Sequence, residues 1–282
     1  MSKLFSLVKW GATLGSSPQS FLGARWVRGL LNRVPESRKR FWALRLLALS
    51  PHYFFHADEP GYRELPEAEY LEAEYKTSFE SRKEIFDRVL AERLSENDTV
   101  IDYGCGPGFL AKIVSQRVRK VFAFDISEGA LACARIINGS PNLDYIAATK
   151  TGFASVPDKS VDAVYSFAVV QHLTDEAFEK MLDFCSGKLA VGGRLYIHIQ
   201  LLDDIWRPED EWRADTSVKG KLKFRYGLHC FGRTEDGIKQ MVSEKGFSDI
   251  KIAPMTDFLE VPRTDDVWGQ HFLTAVKLST AN

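Results

Sequence analysis

Cysteine is scarce: four in 282 residues, at positions 105, 133, 185 and 230. They lie 28, 52 and 45 residues apart, with no CxxC pair. That spacing argues against a zinc ribbon, and a disulfide framework does not suit a chain of this length. The compartment this usage implies is a reducing cytoplasm. Long apolar runs are also missing. The longest, near Phe41–Leu49, is broken by Arg45 and is far too short to span a bilayer. The N-terminus carries no apolar stretch followed by a small-residue cleavage site, so no secretory signal is read there. No internal repeat or low-complexity tract interrupts the chain. Apolar residues make up 45% and charged residues 27%, a balance that excludes a wholly disordered or fibrous protein. The length suits one large domain, or one domain with an appendage.

The net charge of −1 hides an asymmetry. Residues 1–48 hold nine Lys or Arg and a single acid, Glu36, a balance of +8, which leaves −9 on the rest. A basic arm on an acidic body seeks anions. Four readings follow for residues 1–48. They could form a helical cap that packs on the acidic body and closes a pocket, which ranks first. They could make peripheral membrane contact, serve as an organelle transit peptide, or contact nucleic acid.

The first third reads as helical. Leu22, Trp26 and Leu30 recur at four-residue spacing with Val27, Leu31 and Val34 alongside, and a further helix is expected over Ser37–Leu49. Residues 51–74 are rich in Pro, Glu and Tyr and read as a connecting segment. From about Tyr75 helices and strands alternate. Strands are expected at Thr99–Tyr103, Lys120–Asp125, Asp144–Ala148, Val161–Phe167, Arg194–Gln200, Ser248–Ala253 and Phe272–Leu278. Helices are expected at Glu80–Leu94, Gly108–Arg117, Glu128–Ile137, Asp175–Lys188 and Thr234–Lys245. Such alternation specifies an α/β fold, a mostly parallel sheet covered by helices on both faces. The division expected is a basic helical cap at 1–74 and an α/β domain at 75–282.

The informative segment is Val100-Ile-Asp-Tyr-Gly-Cys-Gly-Pro-Gly108, at the end of the first strand. Its glycines let the chain turn tightly and let a ligand approach the backbone. Asp125 ends the next strand, 17 residues after the last glycine, where a carboxylate can accept from a ribose diol. A dinucleotide site would carry G-x-G-x-x-G. Here the spacing is G-x-G-x-G, and Asp102 stands two residues before the first glycine. An acid there sits badly beside a pyrophosphate and suits a cofactor with a cationic group.

These residues resemble the class I S-adenosylmethionine-dependent methyltransferases, in particular the broad group acting on small molecules. Val100–Gly108 matches the first motif hh(D/E)xGxGxG, and Asp125 the second-strand acid. Pro157–Asp162 with Val164–Phe167, then Val170-Gln-His172-Leu, match the fourth-strand pattern and its continuation. Leu189–Leu195 resembles the turn before the fifth strand, with Val191 in place of the usual proline, and Thr234–Phe247 the late helix ending in a Gly-Phe pair. The resemblance covers roughly residues 75–278. It implies a seven-stranded Rossmann-like sheet and S-adenosyl-L-methionine as cofactor. It places Asp102, Gly104, Cys105, Gly106, Gly108, Asp125, Ile126, Thr151, Gly152 and Phe167 in the cofactor site. The acid that family members often carry after the third strand is missing from Ala147–Gly152, so Thr149, Lys150 and Thr151 become candidates for adenine contacts.

Two histidines are candidate catalytic residues. His172 follows the fourth strand, at the carboxyl edge of the sheet where open α/β folds place chemistry, and a neutral imidazole there can take a proton from a hydroxyl. It could instead orient the loop. His198, near the end of the fifth strand, either points into the pocket or is a satisfied core histidine. Cys105 reads as a space-filler. Tyr75 is a candidate cover for the cofactor, and the long polar and aromatic stretch 201–231 a candidate lid or substrate-binding loop.

The expected activity is methyl transfer to a small-molecule acceptor, a natural product, sugar or lipid-linked compound, with an oxygen acceptor slightly favoured. Nucleic acid is disfavoured as partner, because Ser166-Phe-Ala-Val stands where enzymes acting on exocyclic base amines carry N/D-P-P-Y/F. RNA methylation through the basic arm and a non-catalytic cofactor-binding module remain the alternatives. The expected location is cytoplasmic, with a membrane-peripheral position or organelle import left open by the N-terminus.

Overall fold

The computed structural model describes residues 26–48, 64–203, 206–225, 229–259 and 270–279. Its centre is one seven-stranded sheet in the order β3-β2-β1-β4-β5-β7-β6. The strands are β1 (Thr99–Tyr103), β2 (Lys120–Asp125), β3 (Leu143–Ala147), β4 (Val161–Ser166), β5 (Leu189–Ile199), β6 (Phe247–Pro254) and β7 (His271–Lys277). The first five run parallel, and β7 inserts antiparallel between β5 and β6. Alternate residues feed two cores because both faces are covered. In β1, Val100 enters one core and Ile101 the other; in β5, Tyr196 and Leu195 divide the same way. The chain winds outward in both directions from β1 and β4, so their carboxyl ends frame a crevice at the switch point.

The helices are α1 (Trp26–Arg33), α2 (Glu36–Leu47), α3 (Glu67–Ile85), α4 (Phe109–Val114), α5 (Glu128–Ile137), α6 (Lys150–Ala154), α7 (Asp175–Lys188), α8 (Glu209–Ala214), α9 (Val218–Arg225) and α10 (Glu235–Glu244). Hydroxyl caps fix several of their starts. Ser127, Thr174 and Thr234 each accept from the backbone N–H three residues on, which is why α5, α7 and α10 begin where they do.

Three expectations are corrected. Residues 67–74, expected in a connecting segment, are the first two turns of α3, which runs unbroken through position 75 where the domain division was placed. Strand β5 begins at Leu189 rather than Arg194. The expected glycine turn is an irregularity inside it, where the register jumps from Val161–Leu189 to Ala163–Arg194 and Gly192 takes φ of +75°. A helical turn, α6, follows β3 where only a loop was read, because Thr149 caps it through Gly152 N–H. Leu22, residues 49–63 and the Trp26 side chain lie outside the described residues.

Helices α1 and α2 pack on α5. Val27, Leu31, Ala43, Leu44 and Leu47 are buried against Ala132, Cys133 and Ile137, with Tyr70 and Leu71 of α3 closing the cluster. The basic charge of α2 is partly neutralised at home. Arg40 forms a forked pair with Glu72 at 2.8 Å on both nitrogens, and Arg45 pairs with Glu67 at 2.9 Å. Among the described residues, no helix is long and apolar enough to cross a membrane.

Candidate active site

The turn after β1 is built on left-handed backbone. Gly104, Gly106 and Gly108 have φ of +83°, +51° and +77°. The space beside them is also closed to side chains. A Cβ on Gly104 would lie 2.3 Å from a Val169 methyl, and one on Gly108 would lie 2.1 Å from the Tyr145 hydroxyl. The loop is thus pressed between the segment after β4 and a β3 side chain, and its N–H groups are spent within the chain, those of Gly104 and Cys105 on the Phe124 carbonyl and that of Gly108 on the Cys105 carbonyl.

Asp125 holds this loop from the neighbouring strand. Its Oδ2 accepts from Gly106 N–H and its Oδ1 from Ser127 N–H, both at 2.8 Å. Each oxygen retains a second lone pair for a ligand hydroxyl. Burial pushes the Asp125 carboxyl above its ordinary range, and the backbone donors at 127, 106 and 126 oppose that. Asp102 lies deeper, 3% exposed, with Oδ2 enclosed and no hydrogen-bond partner of good geometry. Its carboxyl is pushed well up, first by burial and then by the charge of Asp125, against a smaller lowering from the Tyr165 hydroxyl. Two carboxylates in one closed space repel each other unless a cation comes between them. The Cys105 thiol is pushed well up by the same enclosure and the same two acids, which makes it an inert filler rather than a nucleophile. Ile126 is a large apolar side chain left 55% exposed at the mouth of the loop, a flat-sided surface for a ligand ring.

The remaining cofactor candidates are placed less directly. Gly152 is required by packing, since a Cβ there would lie 2.0 Å from the Ala147 carbonyl oxygen. Thr151 is exposed on α6, while the Thr149 hydroxyl is occupied by its cap. Phe167 stacks on His198 and Phe272, at 5.8 and 5.9 Å between ring centres, so it faces the β5–β7 side of the crevice. Tyr75, the candidate cover, lies at the joint between cap and body. Its hydroxyl donates to Asn138 Oδ1 at 2.9 Å, Asn138 Nδ2 donates to the Pro107 carbonyl at 2.8 Å, and Arg40 lies 4.3 Å over the Tyr75 ring. This Tyr–Asn–Pro relay fastens α3 to the glycine loop, and no motif announced Asn138.

The two histidines part company. His198 is 2% exposed, and its Nδ1 accepts from the Ala168 N–H at 3.2 Å. Ala168 has φ of +59°, unusual for a residue with a Cβ. His198 thus holds the turn after β4 through its Nδ1, as the core-histidine alternative expects. His172 sits in a short 3-10 turn, Val170–His172, after β4. Its Nδ1 is 2.8 Å from the His229 carbonyl oxygen, which can only accept, so Nδ1 carries the proton. In the neutral ring the lone pair is then on Nε2.

The segment 229–233 is stitched to this turn. Phe231 N–H donates to the Gln171 carbonyl at 2.7 Å, and Arg233 N–H to the Gln200 carbonyl at 3.3 Å. The buried Arg233 guanidinium donates to the carbonyls of Val170 (3.2 Å) and Leu173 (2.5 Å) and to Asp175 Oδ1 (2.7 Å). From α8, Glu209 accepts from Asp175 N–H at 2.7 Å. The stretch read as a candidate lid is in this state latched onto the turn bearing His172. Sequence reasoning missed Arg233 because a lone arginine after a glycine carries no motif.

The comparisons with known proteins agree with this arrangement. Residues 101–197 match the family model described as a methyltransferase domain. A protein of Mycobacterium tuberculosis named "Probable S-adenosylmethionine-dependent methyltransferase" is 32% identical over 197 residues, covering 67% of this chain and 62% of that protein. The chain thus spans about three-fifths of the length of that relative. An isoflavone-7-O-methyltransferase of Medicago sativa is 25% identical over 200 residues, covering 67% of this chain and 54% of the relative. Among solved structures, an S-adenosylmethionine-dependent methyltransferase from Mesorhizobium loti superposes with a TM-score of 0.51 at 17% identity, over 69% of this chain and 98% of that one, a likeness of fold.

Proposed function

Because the chain belongs to the class I S-adenosylmethionine-dependent methyltransferases, we propose that it methylates a hydroxyl oxygen of a small molecule. The observation that carries the oxygen acceptor is the fixed tautomer of His172, whose Nδ1–H is held by the His229 carbonyl. The Medicago sativa relative, named for 7-O-methylation of isoflavone, supports the same acceptor atom. The bound cofactor supplies an electrophilic methyl on a sulfonium. The chain's residues fit it: Asp125, with lone pairs left beside its two backbone bonds, would hold the diol, the enclosed and unpaired Asp102 would favour the cationic end, and the glycine turn would let the nucleoside approach. As the acceptor oxygen takes the methyl, His172 Nε2 takes the hydroxyl proton, and the His229 carbonyl holds the imidazolium that results. Helices α1 and α2 act as a cap on α5, and the catalytic unit begins with α3 at Glu67.

The test is a labelled-methyl assay of the purified protein against fractionated extract. Label is expected in a small-molecule fraction. Label in RNA would instead favour a nucleic-acid acceptor. His172→Gln is expected to lower kcat by about two to four orders of magnitude, with S-adenosylhomocysteine affinity unchanged. A folded variant that keeps the wild-type kcat would remove His172 as the base.

The paired acids give a pH prediction. Their folded carboxyls lie above the unfolded range, so the folded, ligand-free protein holds protons more tightly than the unfolded chain. Below the ordinary carboxylate range both states are protonated and this costs nothing. The penalty grows as pH rises through the raised values and is complete above them. Bound cofactor relieves it with positive charge. Affinity should therefore fall on acidification through that window, with protons released on binding, as titration calorimetry in buffers of different ionisation enthalpy would report. Asp102→Asn should raise the melting temperature of the free protein at pH 8 and flatten the pH dependence.

A further inference from the structure

Three of the six glutamines are buried with side-chain oxygens that accept no hydrogen bond: Gln171, Gln200 and Gln270, at 4%, 2% and 3% exposure. A buried, unpaired amide oxygen is costly, and a methionine or leucine would fill such a position without the cost. The three are gathered at one place in the fold. Gln200 follows the last residue of β5 and Gln270 precedes the first of β7. The ladder runs His198–Phe272, Ile199–His271, so the next pair in register is Gln200 with Gln270. Phe272 packs into the core on the β1-Val100 face, and Leu201 into the opposite core. By alternation Gln200 and Gln270 both point to the face that carries Asp102. Gln171 joins them through the latch, since Phe231 and Arg233, two residues apart, donate to the carbonyls of Gln171 and Gln200. Beside them stands an aromatic wall: Phe167 stacked on Phe272, with Phe258 edge-on to Phe272 at 5.6 Å.

We propose that Gln171, Gln200 and Gln270 form an acceptor subsite for a neutral ring bearing at least two hydroxyl groups. The inference rests on the methyltransferase reading and names the class of its acceptor. The amide oxygens accept from the hydroxyls and the aromatic wall takes the face of the ring. All three oxygens are covered in this state, so the ring enters when the latched segment 229–233 lifts. Arg233, the cation of the latch, already donates to Val170, Leu173 and Asp175, which argues against a phosphorylated or carboxylated acceptor.

The experiment uses the full chain loaded with S-adenosylhomocysteine and two probes, catechol and its donor-free dimethyl ether veratrole, followed by ligand-observed NMR. Gln200→Met and Gln270→Met keep length and apolar volume while deleting the acceptor. The wild type is expected to bind catechol and not veratrole. Each variant should melt at or above the wild-type temperature, hold S-adenosylhomocysteine within twofold, and lose catechol affinity at least tenfold. Equal binding of veratrole, or wild-type catechol binding in both variants, would overturn the subsite. So would variants that melt well below wild type, because the glutamines would then serve the fold. A protein that takes S-adenosylhomocysteine but ignores catechol loses this subsite alone. One that takes neither loses the methyltransferase reading itself.

Discussion

Asp125→Ala is expected to weaken S-adenosylhomocysteine binding by about two orders of magnitude, equivalent to roughly 2–3 kcal/mol. The carboxylate does two things at once. It accepts from Gly106 and Ser127 N–H groups, which fixes the glycine loop against β2, and it keeps one lone pair on each oxygen for the diol. Alanine removes both and leaves two backbone donors unpaired near the ligand. Asp125→Asn is a finer probe, because its one carbonyl oxygen can serve Gly106 or Ser127 but not both. Its affinity should fall between wild type and alanine. Calorimetry with a melting curve on each variant checks this. A folded alanine variant with unchanged affinity would remove the ribose assignment. Stability should change far less than affinity, since alanine also removes a buried charge that repels Asp102.

The cofactor half of the site was legible because its chemistry is local. A five-residue strand, a turn that needs positive φ, and an acid at the end of the next strand occupy 27 contiguous residues, 99–125, and their spacing alone encodes their geometry. The helices α5 and α7 were legible to the residue for a related reason: each starts at a hydroxyl that caps it. The half proposed to take the acceptor was not legible. It brings residue 172 to residue 229, 175 to 233, and 200 towards 270, across separations that no periodicity records. His198 shows the same limit. On a strand it could face a pocket or a core, and only the left-handed Ala168, whose N–H it holds, decides between them. In α1, the tertiary contact selects Val27 and Leu31 as the buried pair, a choice the apolar spacing left open among several stripes.

Arg233→Met is expected to lower kcat by at least about 100-fold while S-adenosylhomocysteine affinity stays near that of the wild type. The guanidinium touches both ends of the turn carrying Gln171 and His172, through the carbonyls of Val170 and Leu173 and the carboxylate of Asp175. Removing it leaves two backbone carbonyls without that donor, at a cost on the order of 1–3 kcal/mol each where they are buried, while the half-exposed Asp175 turns to water. Methionine keeps the apolar stem but also gives up the guanidinium that lies over the Phe178 and Phe231 rings, at 5.2 and 5.9 Å, so the lost cation–π contacts add to the effect. Arg233→Lys should recover only part of the loss, because a single ammonium cannot hold three acceptors in a planar fork. The split between kcat and cofactor affinity separates positioning from mere scaffolding. The glycine loop is held by its own ties, from Asp125 and from Asn138 through Pro107, and none of them passes through Arg233. A fall in both quantities together would mean that the two halves share one support. A fall in kcat alone would mean that the chain holds its cofactor on local bonds and presents its base only when a segment some sixty residues downstream is in place.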